Sequence, residues 1–138
     1  DLEFFGRSEW KRLQSLYDLD FARELTFDAA LMYTAVEAGQ VDVISAYSTD
    51  GRVAAYDLVL LEDPRQALLS YDAMLLASSA AAQDPRFTAA LAPVLGAISD
   101  EAMREANKMV DVEGRSVSEA TAYLQAIINK PRSSMNLN

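Results

Sequence analysis

Two short apolar runs constrain this chain more than any other feature. Val41-Asp42-Val43-Ile44-Ser45-Ala46 and Leu58-Val59-Leu60-Leu61 are too short for buried helices and rich in branched aliphatic side chains, which predicts strands. Helical spacing flanks them, and the alternation predicts an α/β layer arrangement with a parallel or mixed sheet. The first run stops at Tyr47-Ser48-Thr49 and turns on Asp50-Gly51. In open α/β sheets ligands bind just beyond the carboxyl ends of strands, which makes Tyr47 and the short polar side chains after it candidate site residues.

The remaining elements follow from periodicity and punctuation. Ser8 is the expected cap of a helix over 9–17, with Trp10, Leu13 and Leu16 on one stripe. Residues 21–25 read as a short strand. Thr26 opens a second helix over 27–38, with Ala30, Leu31, Thr34 and Ala35 inward and Gly39 as a left-handed cap. A short helical piece over 52–55 precedes the second apolar run, and 71–77 reads as one more strand. Helices over 85–95, 99–110 and 118–129 complete the pattern, with Asp84, Ser99 and Ser116 or Ser118 as caps. Residues 131–138 have no periodicity and read as a tail.

Composition narrows the chemistry. The chain has 138 residues, 51% of them hydrophobic, enough for one domain with a core. Its net charge of −9 repels phosphate backbones and anionic membranes, so nucleic acid is not an expected partner. Without cysteine or histidine there is no disulfide, no thiolate nucleophile, no Cys/His zinc site and no Ser-His-Asp triad. The pairs Asp18/Asp20 and Glu62/Asp63 lack a third ligand and read as surface charge. The expectation is a protein that is not an enzyme and holds no metal or cofactor. No apolar run reaches the roughly 20 residues of a membrane helix. The opening Asp1-Leu2-Glu3 lacks signal-peptide character.

Several strings, in order, resemble a known family: Glu3-Phe4-Phe5-Gly6-Arg7, the Trp10 helix, Gly39-Gln40-Val41-Asp42-Val43-Ile44, Tyr47-Ser48-Thr49-Asp50-Gly51-Arg52, Leu58 through Asp63, Tyr71-Asp72-Ala73 and Asp111-Val112-Glu113-Gly114. They are similar to the substrate-binding proteins of osmoprotectant ABC importers that take up glycine betaine and choline. The resemblance runs from about residue 3 to about residue 129, and its specific part is the Tyr-Ser-Thr-Asp-Gly-Arg string with the following Leu-Glu-Asp. It implies a type II periplasmic-binding-protein fold, here incomplete: 1–63 as part of the second lobe, 64–70 as hinge or crossover, and 71–130 as the return into the first lobe. It also implies capture of a quaternary-ammonium osmolyte by lobe closure, delivery to an ABC permease, and an extracytoplasmic location, either free or tethered through a lipid anchor or a fused permease. With part of the cleft expected upstream of Asp1, open sheet edges predict self-association into a homo-oligomer. The alternative function is a self-associating α/β interaction domain that binds no small molecule.

A quaternary ammonium donates no hydrogen bond, so a protein holds it with aromatic faces. The resemblance puts Tyr47 and Tyr71 in such a box, one from each lobe, and assigns Arg7 to the carboxylate of a betaine, which a guanidinium binds through a two-bond fork. Thr49 and Ser48 are candidates to supply hydroxyls. Read without the resemblance, Tyr47 is equally a half-buried ring with a hydrated hydroxyl, Tyr71 a strand residue packing across a sheet, and Arg7 a surface arginine paired with Glu3 or Glu9. Asp50 is expected to bind amides of its own turn.

Overall fold

The computed structural model describes residues 2–130, without the side chain of Leu2. The expected tail at 131–138 lies outside the described residues. The described residues form eight helices: α1 Leu2–Gly6, α2 Ser8–Tyr17, α3 Ala29–Glu37, α4 Gly51–Ala55, α5 Ser79–Ala82, α6 Pro85–Leu91, α7 Asp100–Asp111 and α8 Val117–Ile128. They divide into two compact units. One comprises the described residues up to Tyr47 together with Tyr56–Ala73; the other comprises Ser48–Ala55 and the described residues from Met74 onward.

No strand is present among the described residues, which departs from the expected α/β architecture. The runs expected as strands at 21–25, 41–46, 58–61 and 71–77 have no regular structure. The physical reason is that a strand exists only against a partner: its amides and carbonyls need a ladder, and its apolar side chains need a covering layer. Neither is supplied here, and Val59, Leu61, Met74 and Leu76 stand 83%, 77%, 80% and 88% exposed.

In the first unit the core is aromatic. Trp10, on α2, is buried; its ring lies 5.7 Å from Phe4 and 5.2 Å from Phe5 on α1, and stacks at 5.7 Å on Phe21. Such pairs add about 0.5–1.5 kcal/mol each beyond their buried area. The cap of α2 is Arg7, whose side chain makes no capping bond, and not Ser8, whose hydroxyl turns instead to Glu9. At the far end Asp18 takes the left-handed conformation (φ 54°) and its amide closes on the Gln14 carbonyl. Asp28 caps α3 by accepting from the Ala30 amide at 2.9 Å. Its buried residues are Met32, Tyr33 and Ala35, so of the expected inward face only Ala35 is inside and Leu31 is 58% exposed. The helix is apolar nearly all round, which leaves the phase of its buried stripe unmarked in sequence.

The second unit is built on α7, which packs against α4 and α8. Val53, Ala102, Ala106, Met109 and Ala120 form its buried contacts. Gly51 sits at the α4–α7 crossing: a β-carbon there would lie 2.3 Å from the Lys108 backbone nitrogen and 2.5 Å from its Cα, so only glycine admits this approach. The residue read as a turn glycine is therefore a packing glycine. Ser99 caps α7 by accepting from the Ala102 amide. Ser116 and Glu119 form a reciprocal capping box on α8, and those bonds hold the Glu119 carboxyl below its usual range. α6 ends at Leu91, short of the expected 95, because Pro93 lacks the amide a further turn needs. Ser78 caps α5 by accepting from the Ala81 amide at 3.2 Å.

Candidate ligand-binding site

The junction between α1 and α2 fixes Arg7. Its amide closes the last turn of α1 on the Phe4 carbonyl at 3.1 Å, and its extended backbone (φ −84°, ψ 152°) opens α2. Helix starts favour Ser, Thr, Asp or Asn, whose side chains bind exposed amides. An arginine here forgoes that bond and leaves its guanidinium available for other partners. Nη2 lies 3.3 Å from Glu3 Oε2, one turn earlier, and Nη1 donates to the Tyr71 hydroxyl at 3.2 Å. The neighbouring Tyr71 oxygen first, then the bond to Glu3, raises the Arg7 pKa above its ordinary value, so the group stays cationic.

Tyr71 in turn meets Tyr47. Their ring centroids are 6.1 Å apart with planes at 73°, an edge-to-face pair, and each residue is 61% exposed. The electron-rich face of one ring receives the electron-poor edge of the other. Arg7, Tyr71 and Tyr47 thus lie together in the first unit as a guanidinium–phenol–phenol chain. The sequence expectation set the two rings on separate lobes; in the structure they share one compact unit and already touch.

Ser48 and Thr49 bond to α7, Thr49 through its backbone carbonyl. The Ser48 hydroxyl donates to Asp100 at 2.7 Å and its carbonyl accepts from Arg104 Nε at 2.7 Å, while the Thr49 carbonyl accepts from Asn107 Nδ2 at 2.8 Å. All these partners are on α7, in the second unit. Asp50 binds the Arg52 amide at 3.0 Å and its guanidinium in a two-bond fork at 2.9 and 2.7 Å, the local role expected of it. The roles of Asp100, Arg104 and Asn107 carry no local sequence signal, since they lie more than 50 residues from the groups they hold.

The segment leading to Tyr71 is fixed at the opposite end of α2. Tyr17 donates to Asp63 Oδ1 at 2.5 Å and accepts from the Arg65 amide at 2.9 Å. The Arg65 guanidinium lies 5.3 Å above the Tyr17 ring and donates to the Leu16 carbonyl. Asp63 Oδ2 accepts from the Leu68 amide at 2.8 Å. These bonds, that amide first and the Tyr17 hydroxyl second, pull the Asp63 pKa below its ordinary value, whereas desolvation, with the Asp63 bond second, raises that of Tyr17. An open cavity of about 560 Å³ is lined by Arg12 of α2 and by Asp63, Gln66, Leu68, Leu69 and Ser70.

Among the described residues no cluster of three His, Cys, Asp or Glu side chains has metal-site geometry, and no helix is long and apolar enough to cross a membrane. The arrangement offers two aromatic walls and a fixed cation beside them. Aromatic faces attract cations, and a guanidinium binds carboxylates.

Residues 1–126 match the family model described as the substrate binding domain of ABC-type glycine betaine transport systems. The carnitine transport binding protein OpuCC of Listeria monocytogenes is 34% identical over 103 residues, 74% of this chain and 33% of that protein. A glycine-betaine-binding protein of Pseudomonas aeruginosa is 32% identical over 126 residues, 88% of this chain and 40% of that protein. The chain thus spans between a third and two fifths of the curated relatives it matches. No solved structure matches it significantly. The matched family has the type II periplasmic-binding fold and is one of transport proteins, not of enzymes. Covering all but the last dozen residues, the match shows that this chain belongs to the substrate-binding domains of ABC-type glycine betaine transport systems.

Proposed function

We propose that this chain contributes to a solute receptor that captures a quaternary-ammonium osmolyte and presents it to an ABC permease on the outer side of the cytoplasmic membrane. The single observation that carries this reading is the Arg7–Tyr71–Tyr47 cluster, a guanidinium bonded to one exposed tyrosine that stands edge-to-face with another. The tyrosines provide faces for a trimethylammonium group, and Arg7 provides a partner for a carboxylate. Glycine betaine and carnitine, the ligands named for the two relatives, carry both groups on one molecule. Selection between them, or for choline, belongs to groups beyond these three. Ligand capture by closure of two lobes is part of the same proposal. So is tethering at the membrane through a lipid anchor or a fused permease.

The test is calorimetric titration of glycine betaine into the full-length protein and its Tyr47→Ala and Tyr71→Ala variants. Losing one ring from a cation site costs about 0.5–2 kcal/mol, so each variant is expected to weaken binding roughly 2- to 30-fold. Unchanged affinity in a folded variant removes that ring from the site.

A second reading, self-association without a ligand, is favoured by the unpaired apolar runs around Val59 and Leu76. Size-exclusion chromatography with light scattering separates the two readings for the isolated chain: a well-folded monomer eliminates the second.

A further inference from the structure

Two attachments, one at each end of α2, hold the segment between Asp63 and Tyr71. Arg7, at the start of the helix, bonds the Tyr71 hydroxyl; Tyr17, at its last residue, bonds the Asp63 carboxylate. A ten-residue helix is about 15 Å long, and eight residues of chain span that distance without being fully extended. Residues 63–71 therefore form a strap along α2, with the 560 Å³ cavity between Arg12 and the strap residues Asp63, Gln66, Leu68, Leu69 and Ser70. Asp63 makes three of the bonds that hold the strap's first turn, beside those of Arg65 to Tyr17 and Leu16. One carboxylate oxygen takes the Tyr17 hydroxyl, the other takes the Leu68 amide, and its carbonyl takes the Gln66 amide at 3.0 Å. Gln66 adopts the left-handed conformation (φ 52°), and Ala67 is fully buried in that turn. A non-glycine residue in that region persists only where surrounding contacts fix it.

We infer that Asp63 and Tyr17 are positioning residues for Tyr71: they clamp one end of the strap so that its other end delivers the Tyr71 ring to Arg7 and Tyr47. The clamp lies at the far end of α2 from the cluster it serves. The inference rests on the proposal that Tyr71 is a wall of the ligand site.

The experiment combines a binding cycle with a ligand-free readout, both in the full-length protein. Glycine betaine is titrated into Asp63→Ala, Tyr71→Ala, their double variant, and Asp63→Asn, which keeps an acceptor for the Leu68 amide. Asp63→Ala is expected to weaken binding about tenfold, Asp63→Asn less, and Asp63→Ala to have no further effect once Tyr71 is already alanine. Independent losses from the two sites, or full affinity in a folded Asp63→Ala variant, overturn the inference. Without ligand, Asp63→Ala is expected to speed amide hydrogen exchange at Arg65, Gln66 and Leu68 at least tenfold while α2 remains protected. Unchanged exchange there overturns the strap whatever the titrations give. Full affinity in Tyr71→Ala instead overturns the ligand-site reading and leaves the exchange result to judge the strap.

Discussion

Arg7 donates a hydrogen bond to the Tyr71 hydroxyl at 3.2 Å across 64 residues of sequence. The bond joins the one fixed cation of the cluster to a ring that already contacts Tyr47. On the proposed function, a ligand carboxylate approaching Arg7 meets a guanidinium already bonded to that phenol. Tyr71→Phe keeps the ring and deletes the bond. Affinity for glycine betaine is expected to fall roughly 2- to 10-fold, the worth of one hydrogen bond, while choline, which has no carboxylate, loses little. Parallel titrations of the two ligands check this.

Glu3 lies 3.3 Å from Arg7 Nη2, where on the proposed function it competes with a ligand carboxylate. An exposed pair of this kind contributes about 0.2–1 kcal/mol. Glu3→Gln releases Arg7 from that competition and is expected to raise betaine affinity about 1.5- to 5-fold with choline unchanged. A fall in betaine affinity would mean that Glu3 orients Arg7 more than it competes for it.

Gly51 admits no side chain against the α7 backbone. Gly51→Ala gains helix propensity but forces backbone apart from backbone, and overpacking of that kind costs about 1–3 kcal/mol. Thermal unfolding is expected to show a lowered midpoint. An unchanged midpoint would mean that α4 and α7 separate without loss.

The Asp63 carboxyl has a folded-state pKa below the ordinary 3.8, held there by the Leu68 amide and the Tyr17 hydroxyl. A depressed carboxylate pKa gives stability that is complete above the unfolded value of about 3.9 and disappears as pH falls through the folded value. The stability difference between the wild type and Asp63→Asn is thus expected to be constant from neutral pH to about pH 5 and to shrink below about pH 4. Paired thermal melts across that range measure it. A difference as large at pH 3 as at pH 5 contradicts the assignment.

Local chemistry was legible in the sequence and pairing at a distance was not. The starts of α6, α7 and α8 follow from Asp84, Ser99 and Ser116, whose side chains act within three residues of themselves. The end of α6 also had a local signal in Pro93, and counting it shortens the helix to its observed length. The phase of α3 had none, because nearly every face of that helix is apolar. The runs at 41–46 and 58–61 carry strand-like composition, but composition supplies no ladder partner, and among the described residues they have none. The Glu3–Arg7 pair follows from helical spacing. The grouping of Arg7 with Tyr47 and Tyr71 came from family resemblance, since nothing in their spacing brings residues 7, 47 and 71 together. The attachment of Ser48 and Thr49 to α7 is likewise a product of the fold alone.

The central claim is that Arg7 and the two tyrosines read the two ends of one zwitterion. Titrating glycine betaine and choline into the full-length protein and its Arg7→Ala variant tests it most directly. A charge-assisted hydrogen bond contributes about 1.5–3 kcal/mol, so the account predicts a loss of roughly 10- to 100-fold for glycine betaine and under about threefold for choline. Equal losses for the two ligands, or no loss for betaine, would contradict it.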